Sequence, residues 1–237
     1  MPVALLETDS CEFPAVEQAD DAIGGLLAVG GDLSVERLKR AYSSGIFPWF
    51  GEGDPVLWWS PPQRCIIVPE QFHCSRSLYK KARKGGFYLR YNSCFEVVVS
   101  NCARRGTVTR NQDSTWILPA MRRAYQALHH SGIAHSVELW YDQQLVAGLY
   151  GVQVGALFCG ESMYSDIRDG SKLLLYYFCQ ALSGAGFSAL DCQISNPHLL
   201  SLGATTETRQ QFIERLFTAS QLHRAWPPQA EADNLAL

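Results

Sequence analysis

The sequence predicts an α+β fold in which a small N-terminal α/β domain, residues 1–65, packs on a larger mixed-sheet C-terminal domain, residues 66–237. Three observations carry this expectation. After residue 135 the apolar residues recur with period two over three consecutive runs. A helix with a broad apolar face at 171–182 and a returning strand at 187–193 follow them. Before residue 65 the chain holds only a short helix and an aromatic stretch cut by proline and glycine, which cannot form a long helix. At 237 residues there is length enough for one large domain, or for a small domain packed on a larger one.

Met1 to Asp20 lack the basic start and continuous apolar run of a signal peptide, and no later window reaches the roughly eighteen apolar residues of a membrane span. A soluble cytoplasmic protein is expected. Asp20 to Gly31 reads as an acidic loop followed by Gly24-Gly25-Leu-Leu-Ala-Val-Gly-Gly31, whose glycines resemble a phosphate loop. No Lys-Ser or Lys-Thr follows, however, and no preceding strand is evident, so neither nucleotide fingerprint is met. Ser34 caps a short helix over 35–42 that Ser43-Ser44-Gly45 ends. Between Ile46 and Trp59 lie three tryptophans and two phenylalanines, an aromatic wall serving either a core or a stacking pocket.

Arg64 to Val68 reads as a strand stopped by Pro69. Residues 75–84 read as a helix closed by Gly85-Gly86, residues 88–91 as a strand and residues 93–102 as a helix. Pro119 opens a further helix in which Met121, Ala124, Tyr125 and Leu128 share one stripe. Strands at 136–141, 144–154 and 156–164 form a meander, with Glu161 placed at the end of the third, either at a solvent-facing tip or in a pocket. After the 187–193 strand, Asn196-Pro-His198 reads as a turn and 207–220 as an amphipathic helix. The tail from Trp226 is expected to be frayed.

The net charge of −3 hides an uneven distribution. Residues 71–112 carry nine Lys or Arg against the single acid Glu96, while the flanking segments are acidic. Arg76, Lys80, Lys81, Arg83 and Lys84 cluster on one predicted helix, which suits a polyanionic partner or a solvated basic face. The eight cysteines include no Cys-x-x-Cys pair and no ligand-spaced histidine cluster, so reduced thiols and no metal are expected. Asp191 and Gln193, two apart on an apolar strand, leave it on one face. They either satisfy neighbouring backbone or form a proton-handling and orienting pair at a cleft.

Six blocks in order carry a resemblance over residues 20–205: Gly25–Ser34, Gly45–Phe50, Leu57–Pro61, Thr115–Ile117, Leu157–Met163 and Asp191–Gln193. Through them the chain resembles the leucyl/phenylalanyl-tRNA–protein transferases. Antiparallel strands, a central helix and a returning strand also describe an acyltransferase sheet of the GNAT (acyl-CoA N-acyltransferase) type.

The resemblance implies transfer of Leu or Phe, and less often Met, from aminoacyl-tRNA to proteins with N-terminal Arg or Lys. The product would carry a destabilising N-terminus for the N-end rule pathway of protein degradation. It also implies no cofactor, because the ester is already activated, and a monomer is expected. Asp191 and Gln193 would act catalytically, Asp191 orienting the Gln193 amide so that its oxygen accepts from the incoming amine. Glu161 would pair with the acceptor's basic side chain or assist Asp191. The donor side chain would enter a pocket of Leu149, Phe158, Met163, Leu175, Phe178 and Leu190, with Trp49 and Trp116 holding the terminal adenosine. The basic cluster at 76–84 would hold tRNA phosphates, with binding weakened by salt.

Two other classes compete. One adds amino acids from tRNA to cell-wall precursors on a related sheet, and acceptor identity separates it. The other is a tRNA-binding module without catalysis, for which the basic cluster would suffice.

Overall fold

The computed structural model describes residues 3–109 and 117–226. Its N-terminal part is a four-stranded sheet built from β1 (Ala4–Leu6), β2 (Leu26–Gly30), β3 (Phe47–Pro48) and β4 (Leu57–Trp59), in the order β1-β2-β4-β3, with α1 (Val35–Ser43) beside it. The glycine-rich stretch, which meets no nucleotide fingerprint in the sequence, is largely strand β2. Its glycines serve close approach instead of phosphate. Gly25 has φ 92°, and a Cβ there would collide with the Ser60 carbonyl, the neighbour whose amide donates to Gly25 O at 2.8 Å. The aromatic stretch turns inward at Trp58, which is fully buried and donates its indole N–H to Gly30 O at 2.9 Å.

The remaining chain forms β5 (Gln63–Ile67), α2 (Arg76–Arg83), β6 (Phe87–Tyr91), α3 (Phe95–Thr109), α4 (Pro119–His130), β7 (Ala134–Tyr141), β8 (Gln144–Val154), β9 (Leu157–Ser165), α5 (Gly170–Gly184), β10 (Ala189–Gln193), α6 (Pro197–Leu200), β11 (Thr205–Thr208) and α7 (Arg209–Ser220). Its strands make one mixed sheet ordered β11-β5-β10-β9-β8-β7-β6. The β7–β8–β9 meander is antiparallel as its period-two pattern requires, and β10 returns parallel to β9 after α5. This is a GNAT-like α+β arrangement.

Apolar side chains of opposite parity fill two cores, one on each face of the sheet. One joins α1, α3, α4 and α7 through Leu38, Val98, Met121 and Phe212. The other joins α2 and α5 through Leu78, Leu173, Leu174 and Phe178.

Three expectations shift. Asn196-Pro-His198 is the start of the short helix α6, in which Asn196 caps the Leu199 amide and Pro197 takes the first turn. Glu161 lies in the middle of β9, which runs on to Ser165. Trp226 is not frayed: its ring stacks on His135 at 4.1 Å and meets Phe158 at 4.9 Å. The tail beyond it lies outside the described residues.

Candidate active site

β9 and β10 run side by side only as far as the pair Asp191↔Cys159. Beyond it β10 shifts register against β5 between Asp191 and Gln193, a bulge that leaves Cys192 unpaired there. Gln193 closes the bulge in the left-handed conformation, φ 61°, which a side-chain-bearing residue adopts at a cost in strain. The parting strands border a cleft of about 500 Å³, a size suited to a small ligand group.

Asp191 is fully buried and does not line this cleft. Its carboxylate takes a bidentate pair of hydrogen bonds from Arg64, Nε to Oδ1 at 2.8 Å and Nη2 to Oδ2 at 2.7 Å. Arg64 is also buried; its third nitrogen donates to Gly45 O at 3.1 Å, and its guanidinium carbon lies 4.8 Å from the Phe47 ring centre and 4.4 Å from that of Phe212. Burial works against the Arg64 charge, but the Asp191 carboxylate outweighs it and holds the guanidinium above its ordinary pKa.

Asp191 Oδ1 also accepts the backbone N–H of Gln193 at 2.9 Å. The sequence-level expectation had Asp191 orienting the Gln193 side-chain amide; here it fixes the strained backbone instead. The side-chain amide is oriented by Glu161, whose Oε1 accepts from Gln193 Nε2 at 2.7 Å. Among the described residues no group donates to the remaining amide oxygen.

Glu161 is partly exposed as a residue, yet its carboxyl is enclosed. Tyr125 donates to its Oε2 at 2.6 Å, and the Tyr42 hydroxyl lies 2.5 Å from that of Tyr125. Burial is the largest influence and pushes the Glu161 pKa up to about 7; the Tyr125 and Tyr42 hydroxyls pull the other way. This carboxyl therefore changes charge near neutrality, where proton-transfer groups are most useful.

The cleft wall includes Trp49, Leu149, Glu161, Met163, Leu175, Leu190 and Gln193, all anticipated from sequence, and adds Phe47, Cys192, Ile194, Asn196 and His198. Phe158 and Phe178 are not on that wall. They are fully buried and meet edge to face at 5.2 Å. Trp116 lies outside the described residues.

In the basic cluster, Lys80, Lys81 and Lys84 border a separate groove of about 650 Å³ together with Phe87 and Tyr141. Lys81 is partly neutralised by Asp169 at 3.6 Å, while Arg76 is exposed and Arg83 lies over the Tyr79 ring. Sequence reasoning missed Arg64, Tyr42 and Tyr125 as site residues. Arg64 alone left a signal, a guanidinium in an otherwise apolar strand that required a buried partner.

Among solved structures the chain resembles FemX, with a TM-score of 0.51 at 10% identity over 76% of this chain and 70% of that one. A GCN5-related N-acetyltransferase from Kribbella flavida gives a TM-score of 0.36 at 10% identity, over 75% of this chain and 62% of that one. The mixed sheet, with its parallel pair β9 and β10 parting over the cleft, has the α+β fold that it shares with FemX.

The family model described as leucyl/phenylalanyl-tRNA protein transferase matches residues 66–217, and that of its N-terminal domain matches 31–62. Transferases of that name from Idiomarina loihiensis and Chromohalobacter salexigens are 47% and 46% identical. They cover 92% of this chain and 92% of the relative, and 93% and 86%, respectively. The relative from Edwardsiella ictaluri is 42% identical over 97% of this chain and 94% of its own. The chain belongs to the leucyl/phenylalanyl-tRNA–protein transferase family and is an aminoacyltransferase.

Proposed function

We propose that the enzyme moves leucine or phenylalanine, and less often methionine, from aminoacyl-tRNA to the α-amino group of proteins that begin with Arg or Lys. The product enters the N-end rule pathway of protein degradation, and the enzyme works in the cytoplasm as a monomer. Among the described residues no helix is long and apolar enough to cross a membrane.

The observation that carries this reading is an apolar cleft bordered by one carboxylate and an amide whose oxygen is left open. The acceptor amine attacks the ester carbonyl, the bond to the ribose oxygen breaks, and a new peptide bond forms. That oxygen takes up one proton as it leaves. The Gln193 oxygen accepts an N–H of the incoming amine and aims its lone pair, a positioning role, since an amide is a feeble base. Glu161 supplies the negative charge that favours a basic first residue. Asp191 is neutralised by Arg64, and among the described residues bordering the cleft Glu161 is the only acid. Leu149, Met163, Leu175 and Leu190 receive the donor side chain and Trp49 the terminal adenosine; Arg76, Lys80, Lys81, Arg83 and Lys84 hold tRNA phosphates.

The test is transfer of labelled Leu and Phe from charged tRNA to peptides beginning with Arg, Lys or Ala. Product is expected with the first two alone, and equal labelling of all three would refute the acceptor assignment. A second expectation concerns the pocket. Met163→Ala should weaken preference for Leu over smaller donors by about 1–3 kcal/mol in kcat/KM, measured with tRNA charged with Leu or with Ala. Unchanged preference would place the donor side chain elsewhere.

A further inference from the structure

A run of four side chains from four elements ends at the cleft: Tyr42 on α1, Tyr125 on α4, Glu161 on β9 and Gln193 on β10. Its hydrogens have little freedom. A tyrosine hydroxyl owns one proton, and Tyr125 gives its proton to Glu161, so Tyr42 must be the donor in the 2.5 Å contact between the two hydroxyls. Tyr42 is 1% exposed, and besides the Tyr125 oxygen the Glu161 carboxylate is also within its hydrogen-bonding reach. The run is thus polarised toward the carboxylate, every donor pointing at Glu161.

An ionised Glu161 is acceptor only, so Gln193 must turn its NH2 toward it and its carbonyl oxygen toward the cleft. Were Glu161 to carry a proton on Oε1, the amide would have to turn over and offer NH2 to the amine, a donor facing a donor.

We propose that Tyr125, backed by Tyr42, is a positioning residue that holds Glu161 in the acceptor state and thereby fixes the Gln193 amide with its oxygen toward the attacking amine. This rests on the transferase reading above. Neither tyrosine lines the cleft, so neither is expected to touch substrate. The groups that bear on Glu161 are Tyr42, Tyr125, Tyr150 from β8, Arg64 from β5, Asp191 from β10 and Cys159 on its own strand. Among them Arg64 and the hydroxyls of Tyr42 and Tyr125 favour its charge, and Asp191 opposes it.

Two variants and two readouts test the proposal. In the ligand-free protein, the Glu161 carboxyl is followed by carbon NMR across pH, assigned by its absence in Glu161→Gln. Tyr125→Phe should raise its midpoint by about one pH unit, the size of one lost hydrogen bond to a carboxylate. In the transfer assay the same variant should lower kcat about fivefold at neutral pH, leave KM for aminoacyl-tRNA unchanged, and move the acidic limb of the profile upward with the NMR midpoint. Tyr42→Phe should shift both in the same direction by less, and it guards against a folding defect peculiar to Tyr125→Phe.

The proposal is overturned if Tyr125→Phe keeps the wild-type midpoint and profile, or if kcat falls equally at every pH with no NMR shift. A wild-type enzyme that transfers nothing to Arg- or Lys-started peptides would instead refute the transferase reading. The NMR titration would then still decide whether the tyrosines govern Glu161.

Discussion

Asp191→Ala is expected to lower the free energy of unfolding by about 3–5 kcal/mol, because it leaves the Arg64 guanidinium buried without its counter-charge. Arg64 is 2% exposed, held by the bidentate contact and packed against the rings of Phe47 and Phe212. Urea melts measure the loss, and a change below about 1 kcal/mol would mean that Arg64 finds water or another partner. Replacing both members, as in Arg64→Met with Asp191→Leu, should recover much of the loss, since an apolar pair of similar volume carries no desolvation cost. Loss of transfer by Asp191→Ala alone then reflects a broken support, and its activity must be read against the fraction folded.

If Gln193 aims the amine as proposed, Gln193→Ala should give the largest effect on catalysis, a fall in kcat of about 100-fold with tRNA affinity unchanged. Its backbone complicates stability, for φ 61° costs about 1–2 kcal/mol in any residue with a Cβ. Gln193→Gly removes the same amide and relieves that cost. The glycine variant should therefore be more stable than the alanine variant by about 1 kcal/mol, yet equally slow. A glycine variant that regained activity would place the catalytic requirement in the backbone, and single-turnover rates beside thermal melts resolve the two.

Elements whose own side chains alternate were legible in the sequence. β7, β8 and β9 bury one face in each core and so read directly as strands. β11 was not, since Thr205–Thr208 is polar throughout and is a strand only because β5 offers it an edge. β2 was obscured by its glycines, whose use appears only when Ser60 lies against Gly25 and Leu6 against Gly30.

The same division holds at the site. Glu161, Asp191 and Gln193 stood out as polar residues in apolar runs. Their partners did not: Arg64 is 127 residues from Asp191, and Tyr42 is 83 from Tyr125. Contacts of such separation leave no local pattern, so the reading that Asp191 acts on the Gln193 side chain gave way to one in which Arg64 anchors Asp191.

The position of β5 has a consequence for how the chain is made. Both of its hydrogen-bonding neighbours, β10 and β11, come from residues after 188, so the apolar run Cys65–Ile67 emerges from the ribosome long before any strand can flank it. Pairings so distant in sequence slow folding, and an open apolar edge recruits other chains. Nascent or prematurely terminated copies that stop short of residue 189 are therefore the aggregation-prone form of this protein, whereas the finished chain shields the segment on both sides.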